Sequence, residues 1–256
     1  MKKELNREYL KFRLHNIWTT TSEMENKKVN LNKVNLSKIL SLKNIHKNQR
    51  CFIIGGSPSL NLLDLSPLNN EYTFTVNRGY NLKEKGLLHS TYHIIQDKLL
   101  FFNDKIANEI PFDYMNYLIL YAGIKIENKH IQNLIFYDYM HMINYEETEF
   151  QPDLTQKLVE GYSVIYTTLQ IAAYMNFKDI YIIGVDLDFK NITGHSYKET
   201  EGEIERQKRS HLNQQRMQDY IAKAVIFLNK RNVNVYNASP TGKLNCMPRV
   251  KYEDLF

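Results

Sequence analysis

From residue 50 onward, short apolar runs alternate with amphipathic stretches. The runs are "CFII" from Cys51, "YTFTV" from Tyr72, "TYHII" from Thr91, "YLILY" from Tyr117, "IYII" from Ile180 and "VNVY" from Val233. Each is rich in β-branched and aromatic residues and bounded by polar or turn-forming ones, the pattern of strands in a buried sheet. The clearest helix is "RMQDYIAKAVIFLNK", where Met217, Tyr220, Ile221, Ala224, Val225 and Leu228 recur at helical spacing. A second helix runs from Ser163, a candidate N-cap, to Met175, and "NFKD" turns the chain into the strand at 180. Helix, short turn, apolar strand, repeated, predicts an α/β, Rossmann-like, mostly parallel sheet with helices on both faces.

The first 18 residues carry a different pattern. Leu5, Tyr9 and Phe12 share one side of a helix while Lys2, Lys3, Arg7, Lys11 and Arg13 supply positive charge. Such a helix suits docking on its own domain with a solvated basic face, or peripheral contact with an anionic membrane. Residues 19–34 are polar and read as a linker. The predicted organisation is an N-terminal helical extension and linker over 1–44, then a nucleotide-binding transferase domain over 45–256. The stretch from about 122 to 160, rich in His, Tyr, Asn and Glu, reads as a lid-like insertion.

Composition narrows the function classes. Hydrophobic residues make up 43% of the 256 and charged residues 24%, enough for a sizeable core. A formal charge of +5 suits an anionic substrate without calling for nucleic acid. The two cysteines, Cys51 and Cys246, have neither zinc-site spacing nor the number for a disulfide framework. No apolar run is long enough to span a membrane, and the N-terminus lacks the apolar segment of a signal peptide, so a cytoplasmic location is expected.

In a parallel α/β sheet, ligands bind beyond the carboxyl ends of the strands, which is where the candidate chemistry lies. Gly55-Gly56-Ser57-Pro58-Ser59 follows the first strand; its glycines allow close backbone approach, and successive N–H groups there would form an anion-binding nest. The loop is neither a P-loop nor a dinucleotide fingerprint. Asn77 and Arg78 follow the second strand, suited to a ribose or base and to phosphate respectively. Asp97 follows the third. Asp186 and Asp188, in "GVDLD", follow the strand at 180. This Asp-x-Asp invites a divalent-metal reading with Asp97 as a further ligand, and equally a plain turn-capping reading. His195, on a polar loop, and His211, near the start of the long helix, are the general acid/base candidates. Common hydrolase and zinc motifs are absent.

With these stretches in view, the chain resembles the MptE-like family, bacterial proteins related to Maf flagellin-modification proteins and archaeal-type 6-hydroxymethylpterin diphosphokinases. The matching pieces are "RCFIIGGSPSLNLLDLSPLNNEYTFTVNRGY", "TYHIIQD", "GYSVIYTTLQIAAYMNFKDIYIIGVD" and the tail "VYNASPTGKLNCMPRVKYEDLF". More distantly it is similar to bacterial sialyltransferases that use CMP-sialic acid. There a Gly-x-Gly-Pro-Ser-Leu loop, an Asn and a Gly-Ile/Val-Asp strand end surround the nucleotide, matching Gly55 to Leu60, Asn77, and Gly184 to Asp186. Here Ser57 stands where the second glycine of that loop is expected.

The resemblance implies nucleotide binding by Gly55, Gly56, Ser57, Pro58, Ser59, Asn77, Arg78, Asp97, Ser163 and Tyr197, with His195, His211 and Asp186 in catalysis. It implies a glycosyltransferase taking a nucleotide-sugar donor, with CMP-linked nonulosonate favoured, to a glycan or glycolipid acceptor, with no cofactor. The alternatives are Mg²⁺- or Mn²⁺-dependent pyrophosphoryl transfer from ATP to a hydroxymethylpterin, with Asp97, Asp186 and Asp188 on the metal, and a non-catalytic nucleotide-binding protein of a polysaccharide system.

Overall fold

The computed structural model describes residues 24–97, 110–122, 133–140, 149–189, 194–204 and 213–256. The predicted basic helix of residues 1–18 and His211 lie outside them. The chain divides into two compact units, residues 1–41 and 42–256.

The first unit contains α1 (Met24–Ser41), an 18-residue helix. Most of the segment read as a linker is therefore helical. It is polar but holds neither glycine nor proline, so nothing in it breaks a helix.

The second unit is built on a sheet. Its strands are β1 (Arg50–Ile54), β2 (Tyr72–Val76), β3 (Ser90–Ile95), β4 (Met115–Tyr121) and β5 (Leu134–Tyr137). A short parallel pair, β6 (Tyr139–Met140) and β7 (Leu158–Val159), precedes α2 (Val164–Met175). Then come β8 (Asp179–Ile183), α3 (Gln214–Asn229) and β9 (Asn234–Asn237). The seven main strands lie in the order β5-β4-β3-β2-β1-β8-β9, every pair parallel.

That order steps outward from β1 in both directions. β1 pairs with β2 on one side, Cys51 opposite Tyr72, and with β8 on the other, Ile54 opposite Ile183. A right-handed crossover moving one way lies on one face of the sheet, and one moving the other way lies on the opposite face. Accordingly α2 and α3 pack on each other and share a face. The β1–β2 and β2–β3 connections, on the other face, contain short 3₁₀ turns at Pro58–Leu62, Ser66–Asn70 and Gly79–Lys85. The core is the sheet itself: Phe52, Ile53, Ile54, Phe74, Ile94, Ile95, Ile119, Leu120, Ile182 and Ile183 are all fully buried.

The six predicted strands are present, with ends shifted by a residue or two. The helices fall where their periodicity placed them, α2 capped by Ser163, whose Oγ accepts the Ile165 amide at 3.2 Å. The 122–160 stretch differs from expectation. Its residues 134–137 form β5, an edge strand of the main sheet, and Leu158 and Val159 are buried in β7, so these parts are framework rather than lid.

Candidate active site

The strand order switches direction between β1 and β8, and the crevice beyond that point is where a parallel α/β sheet binds ligands. A cavity of about 370 Å³ opens there. Gly55, Gly56 and Ser57 come to it from β1, Val76 and Asn77 from β2, and Asp97 from the end of β3. Tyr162 through Ile165, at the start of α2, form another wall. Gly184, Val185, Leu187 and Phe189 follow β8, and His195, Tyr197, Glu203 and Met217 complete the lining.

The loop after β1 is shaped by its neighbour. The Gly55 amide donates to the Ile183 carbonyl and the Ser57 amide to the Gly184 carbonyl, both at 2.9 Å. The Ser59 amide donates to the Asp186 carboxylate, and the Asp186 amide in turn donates to the Ser57 hydroxyl, each at 3.1 Å. A Cβ on Gly55 would lie 2.2 Å from the Gly184 carbonyl oxygen, so the glycine is required by backbone contact between two loops. The expected anion nest does not form: the amides of residues 55, 57 and 59 are spent across the β1–β8 junction, and Pro58 has none. Pro58 and Ser59 do not line the cavity.

Asn77 is held as firmly. Its backbone is left-handed, with φ 50°, and its amide donates to the Ile94 carbonyl at 2.8 Å. The buried His93 Nε2 lies 2.8 Å from the Asn77 carbonyl, to which it donates. Its side-chain Oδ1 accepts the amides of Gln96 and Asp97 at 3.2 and 3.3 Å. Those two donors fix the carboxamide orientation, so Asn77 presents its NH₂ as the remaining donor.

Arg78 is buried and forms an ion pair with Glu203 at 2.7 Å, and it donates to the Lys198 carbonyl at 3.2 Å. Its guanidinium stacks 5.2 Å from the Tyr197 ring centroid. The arginine expected to meet phosphate thus clamps the 194–204 loop to the end of β2. Burial disfavours the Glu203 carboxylate, but the Thr200 amide and Arg78 together overcome it and hold the pKa below its usual value.

On the clamped loop, His195 stacks on Tyr197, ring centroids 4.8 Å apart and planes 10° from parallel. Its Nδ1 lies 2.5 Å from Glu199 Oε1. With Nδ1–H donating to that carboxylate, Nε2 carries the ring's lone pair, the arrangement of an oriented general base. Burial, reinforced by the Glu203 charge, pushes the Tyr197 hydroxyl pKa up, so Tyr197 acts as a neutral donor. The Ser196 amide donates to the Gly56 carbonyl at 2.8 Å, fixing the loop over the β1 end.

The N-terminus of α2 also reaches the cavity, with the Ile165 amide held by the Ser163 hydroxyl and the Tyr166 and Thr167 amides by the Ser163 carbonyl. Ser163, Val164 and Ile165, its cap and first two residues, all line the cavity, so the positive end of a 12-residue helix faces the space. No lysine or arginine is among the described lining residues.

Comparison with known proteins gives the fold a family. The model of the family described as "6-hydroxymethylpterin diphosphokinase MptE-like" matches residues 24–192. The chain belongs to that family. The match agrees with the resemblance carried by the loop at 55–60 and the "GVD" strand end. It begins at the first residue of α1 and stops short of His195 and the C-terminal tail. Among solved structures, the fold is similar to "Crystal Structure of a Mammalian Sialyltransferase", at 10% identity over 82% of this chain and 79% of that one, with a TM-score of 0.40. Likeness that weak says nothing of shared chemistry. A search of curated proteins gives no match.

In this MptE-like chain the three carboxylates considered as metal ligands are not brought together. Asp97 lines the cavity. Asp186 is 2% exposed, and its carboxylate is turned to the Ser59 amide; burial raises its pKa against the pull of the Ser59 hydrogen bonds. Asp188 pairs with Lys243 at 2.7 Å. Among the described residues no group of three or more His, Cys, Asp or Glu is arranged to hold a metal ion. Of the predicted site residues, Gly55, Gly56, Ser57, Asn77, Asp97, Ser163, His195 and Tyr197 meet in one cavity, while Pro58, Ser59, Arg78, Asp186 and Asp188 do not line it. Glu199, Glu203 and Tyr162 were not anticipated; the four-residue spacing from His195 to Glu199 was the one local signal available.

Proposed function

We propose that the chain is a glycosyltransferase that moves a sugar from a nucleotide-activated donor to an acceptor hydroxyl. The donor favoured is a CMP-linked nonulosonate, and the acceptor a surface glycan or glycolipid. The observation that carries this reading is the pairing of an oriented histidine, His195 with Glu199, and the N-terminus of α2 on the lining of the same cavity.

A lining without lysine or arginine among the described residues suits one phosphate better than a triphosphate, because a helix N-terminus supplies about half a unit charge. In the reaction proposed, His195 Nε2 takes the acceptor hydroxyl's proton as its oxygen bonds to the anomeric carbon. The bond from that carbon to the nucleotide phosphate breaks, and the phosphate leaves with the electron pair. The α2 N-terminus, the Gly56 amide and the Tyr197 hydroxyl stabilise its charge. Val76, Val164, Val185 and Phe189 offer apolar surface for the base.

A second reading, pyrophosphoryl transfer from ATP to a hydroxymethylpterin, is favoured by the description of the family itself. It needs a divalent cation, for which Asp97 is a carboxylate already in the cavity, Glu203 being paired with Arg78.

Incubating the full chain with CMP-, CDP-, UDP- and GDP-sugars, and with ATP and a hydroxymethylpterin, with and without Mg²⁺, separates the two. The expected result is metal-independent release of CMP, reduced about 100-fold or more in His195→Ala, the usual contribution of a general base. ATP consumption only with Mg²⁺, and no turnover of any nucleotide sugar, would replace this reading with the second. Full activity in His195→Ala would move the base to His211 or elsewhere.

A further inference from the structure

A second cavity of about 240 Å³ adjoins the first. Asn77, Asp97, Tyr162, Ser163 and Val164 line both, and Gln96 and Glu160 line the second alone. The two spaces therefore share a wall, and a molecule in one lies beside a molecule in the other.

The chain is shaped to make that wall. Between β7 and the cap of α2, Gly161 and Tyr162 both take left-handed backbone, each with φ 57°. A Cβ on Gly161 would sit 2.2 Å from the Tyr166 ring, so only glycine fits there. Tyr162 is a bulky residue in a conformation that costs on the order of 1 kcal/mol or more. The Arg216 guanidinium lies 5.3 Å from its ring centroid, and Tyr220 packs 6.0 Å away. The tightly reversed 160–163 segment sets both Glu160 and Tyr162 along the second space.

The second space shares Asn77, Asp97 and Ser163 with the first, adds Gln96 and Glu160, and lacks the apolar Val185, Leu187 and Phe189. Two carboxylates, Asp97 and Glu160, stand with the Gln96 and Asn77 carboxamides and the Ser163 hydroxyl. Tyr137 donates to Gln96 Oε1 at 3.4 Å, which points to Gln96 offering its NH₂ elsewhere. Carboxylates accept hydrogen bonds from hydroxyl and ammonium groups and repel anions, and carboxamides bond hydroxyls of either sense. At this volume and polarity the space takes one polyhydroxylated ring.

Resting on the glycosyltransferase reading, we infer that this second cavity is the acceptor subsite and that Glu160 makes it select uncharged or amino-bearing sugars against acidic ones. Asn77 and Asp97, common to both spaces, stand at the junction where donor and acceptor meet.

The test uses the full chain with the nucleotide sugar that it cleaves. Acceptors are methyl hexosides, the corresponding 6-amino-6-deoxy hexosides and the corresponding uronates, so only charge varies. Transfer to the neutral and amino sugars is expected to exceed transfer to the uronates by about tenfold or more in kcat/KM, a difference of about 1.4 kcal/mol. Glu160→Lys should cut that preference at least tenfold, acting through the acceptor KM, and Glu160→Gln should cut it less. The isosteric glutamine variant serves if the lysine variant does not fold. Equal use of uronates, or unchanged selectivity in the Glu160 variants, would overturn the inference. Nucleotide-sugar cleavage in water without acceptor reports separately: if no nucleotide sugar is cleaved, it is the glycosyltransferase reading that fails.

Discussion

The carboxylate of Asp186, at the end of one strand, accepts the backbone amide of Ser59, beyond the end of its neighbour, at 3.1 Å. The Asp186 amide returns the link by donating to the Ser57 hydroxyl at the same distance. One residue thus closes both sides of the β1–β8 junction, on which the floor of the cavity rests. An asparagine there keeps an acceptor for the Ser59 amide and removes a buried charge. Asp186→Asn is therefore expected to retain folding and turnover, and Asp186→Ala to lose about 1–3 kcal/mol, the cost of an unsatisfied buried donor. Urea unfolding with parallel activity assays checks both. A natively stable Asp186→Asn with no turnover would show that the carboxylate takes part in the chemistry.

The two adjacent glycines fail in different ways when given a side chain. A methyl on Gly55 meets backbone, the Gly184 carbonyl at 2.2 Å, and backbone hydrogen-bonded at the strand ends cannot yield. Gly55→Ala should cost about 3 kcal/mol or more, the upper end for overpacking. A methyl on Gly56 meets the His195 ring edge at 2.9 Å, and a side chain can swing away. Gly56→Ala should fold with a melting temperature close to that of the parent and lose at least tenfold in kcat, because His195 is displaced. Thermal melts and initial rates distinguish them; a Gly56→Ala protein as active as the parent would mean that His195 does not need its present position.

Glu199 acts through His195. Its Oε1 lies 2.5 Å from Nδ1 and fixes which ring nitrogen carries the proton. Glu199→Gln still bonds the ring but no longer supports the charge that the imidazole gains on taking a proton. The expected loss is in kcat, on the order of 10²-fold, with little change in KM for either substrate. A rise in KM at constant kcat would assign Glu199 to binding instead.

The strands were legible because a sheet buried on both faces needs unbroken apolar runs, and six such runs stand out from a polar background. "LIFY" at 134–137 is the same kind of run, but it is an edge strand set in a polar region, and it passed as part of an insertion. α1 was missed for the opposite reason: Asn, Lys, Ser and Glu outnumber its apolar residues, and composition alone does not separate such a helix from a linker. The site was legible as a set of strand ends and not as contacts. The loop at 55–59 has the glycines and hydroxyls of an anion nest, yet its amides answer to Ile183, Gly184 and Asp186, nearly 130 residues away. No local pattern announces a partner so distant. Arg78 was misjudged likewise, since Glu203, which neutralises it, lies on a loop that only the fold brings near.

Acid should loosen the fold through His93. The side chain is fully buried on β3, with Nδ1 2.7 Å from the Thr75 hydroxyl and Nε2 bonded to the Asn77 carbonyl. Burial pushes its pKa down to about 4, against a bond to Asn77 that works the other way. In the unfolded chain a histidine titrates near 6.5. Below pH 6.5 the unfolded state therefore binds a proton that the folded state refuses, and stability falls until about pH 4, by on the order of 3 kcal/mol. His46, buried and also shifted downward, adds to the same slope. Urea unfolding midpoints from pH 7 to pH 4 should decline for the parent and decline less steeply for His93→Gln. Because the folded His93 stays neutral down to about pH 4, its bond to the Asn77 carbonyl persists, so nucleotide affinity should not change through His93 over that range. Parallel slopes in parent and variant would mean that the acid sensitivity arises elsewhere.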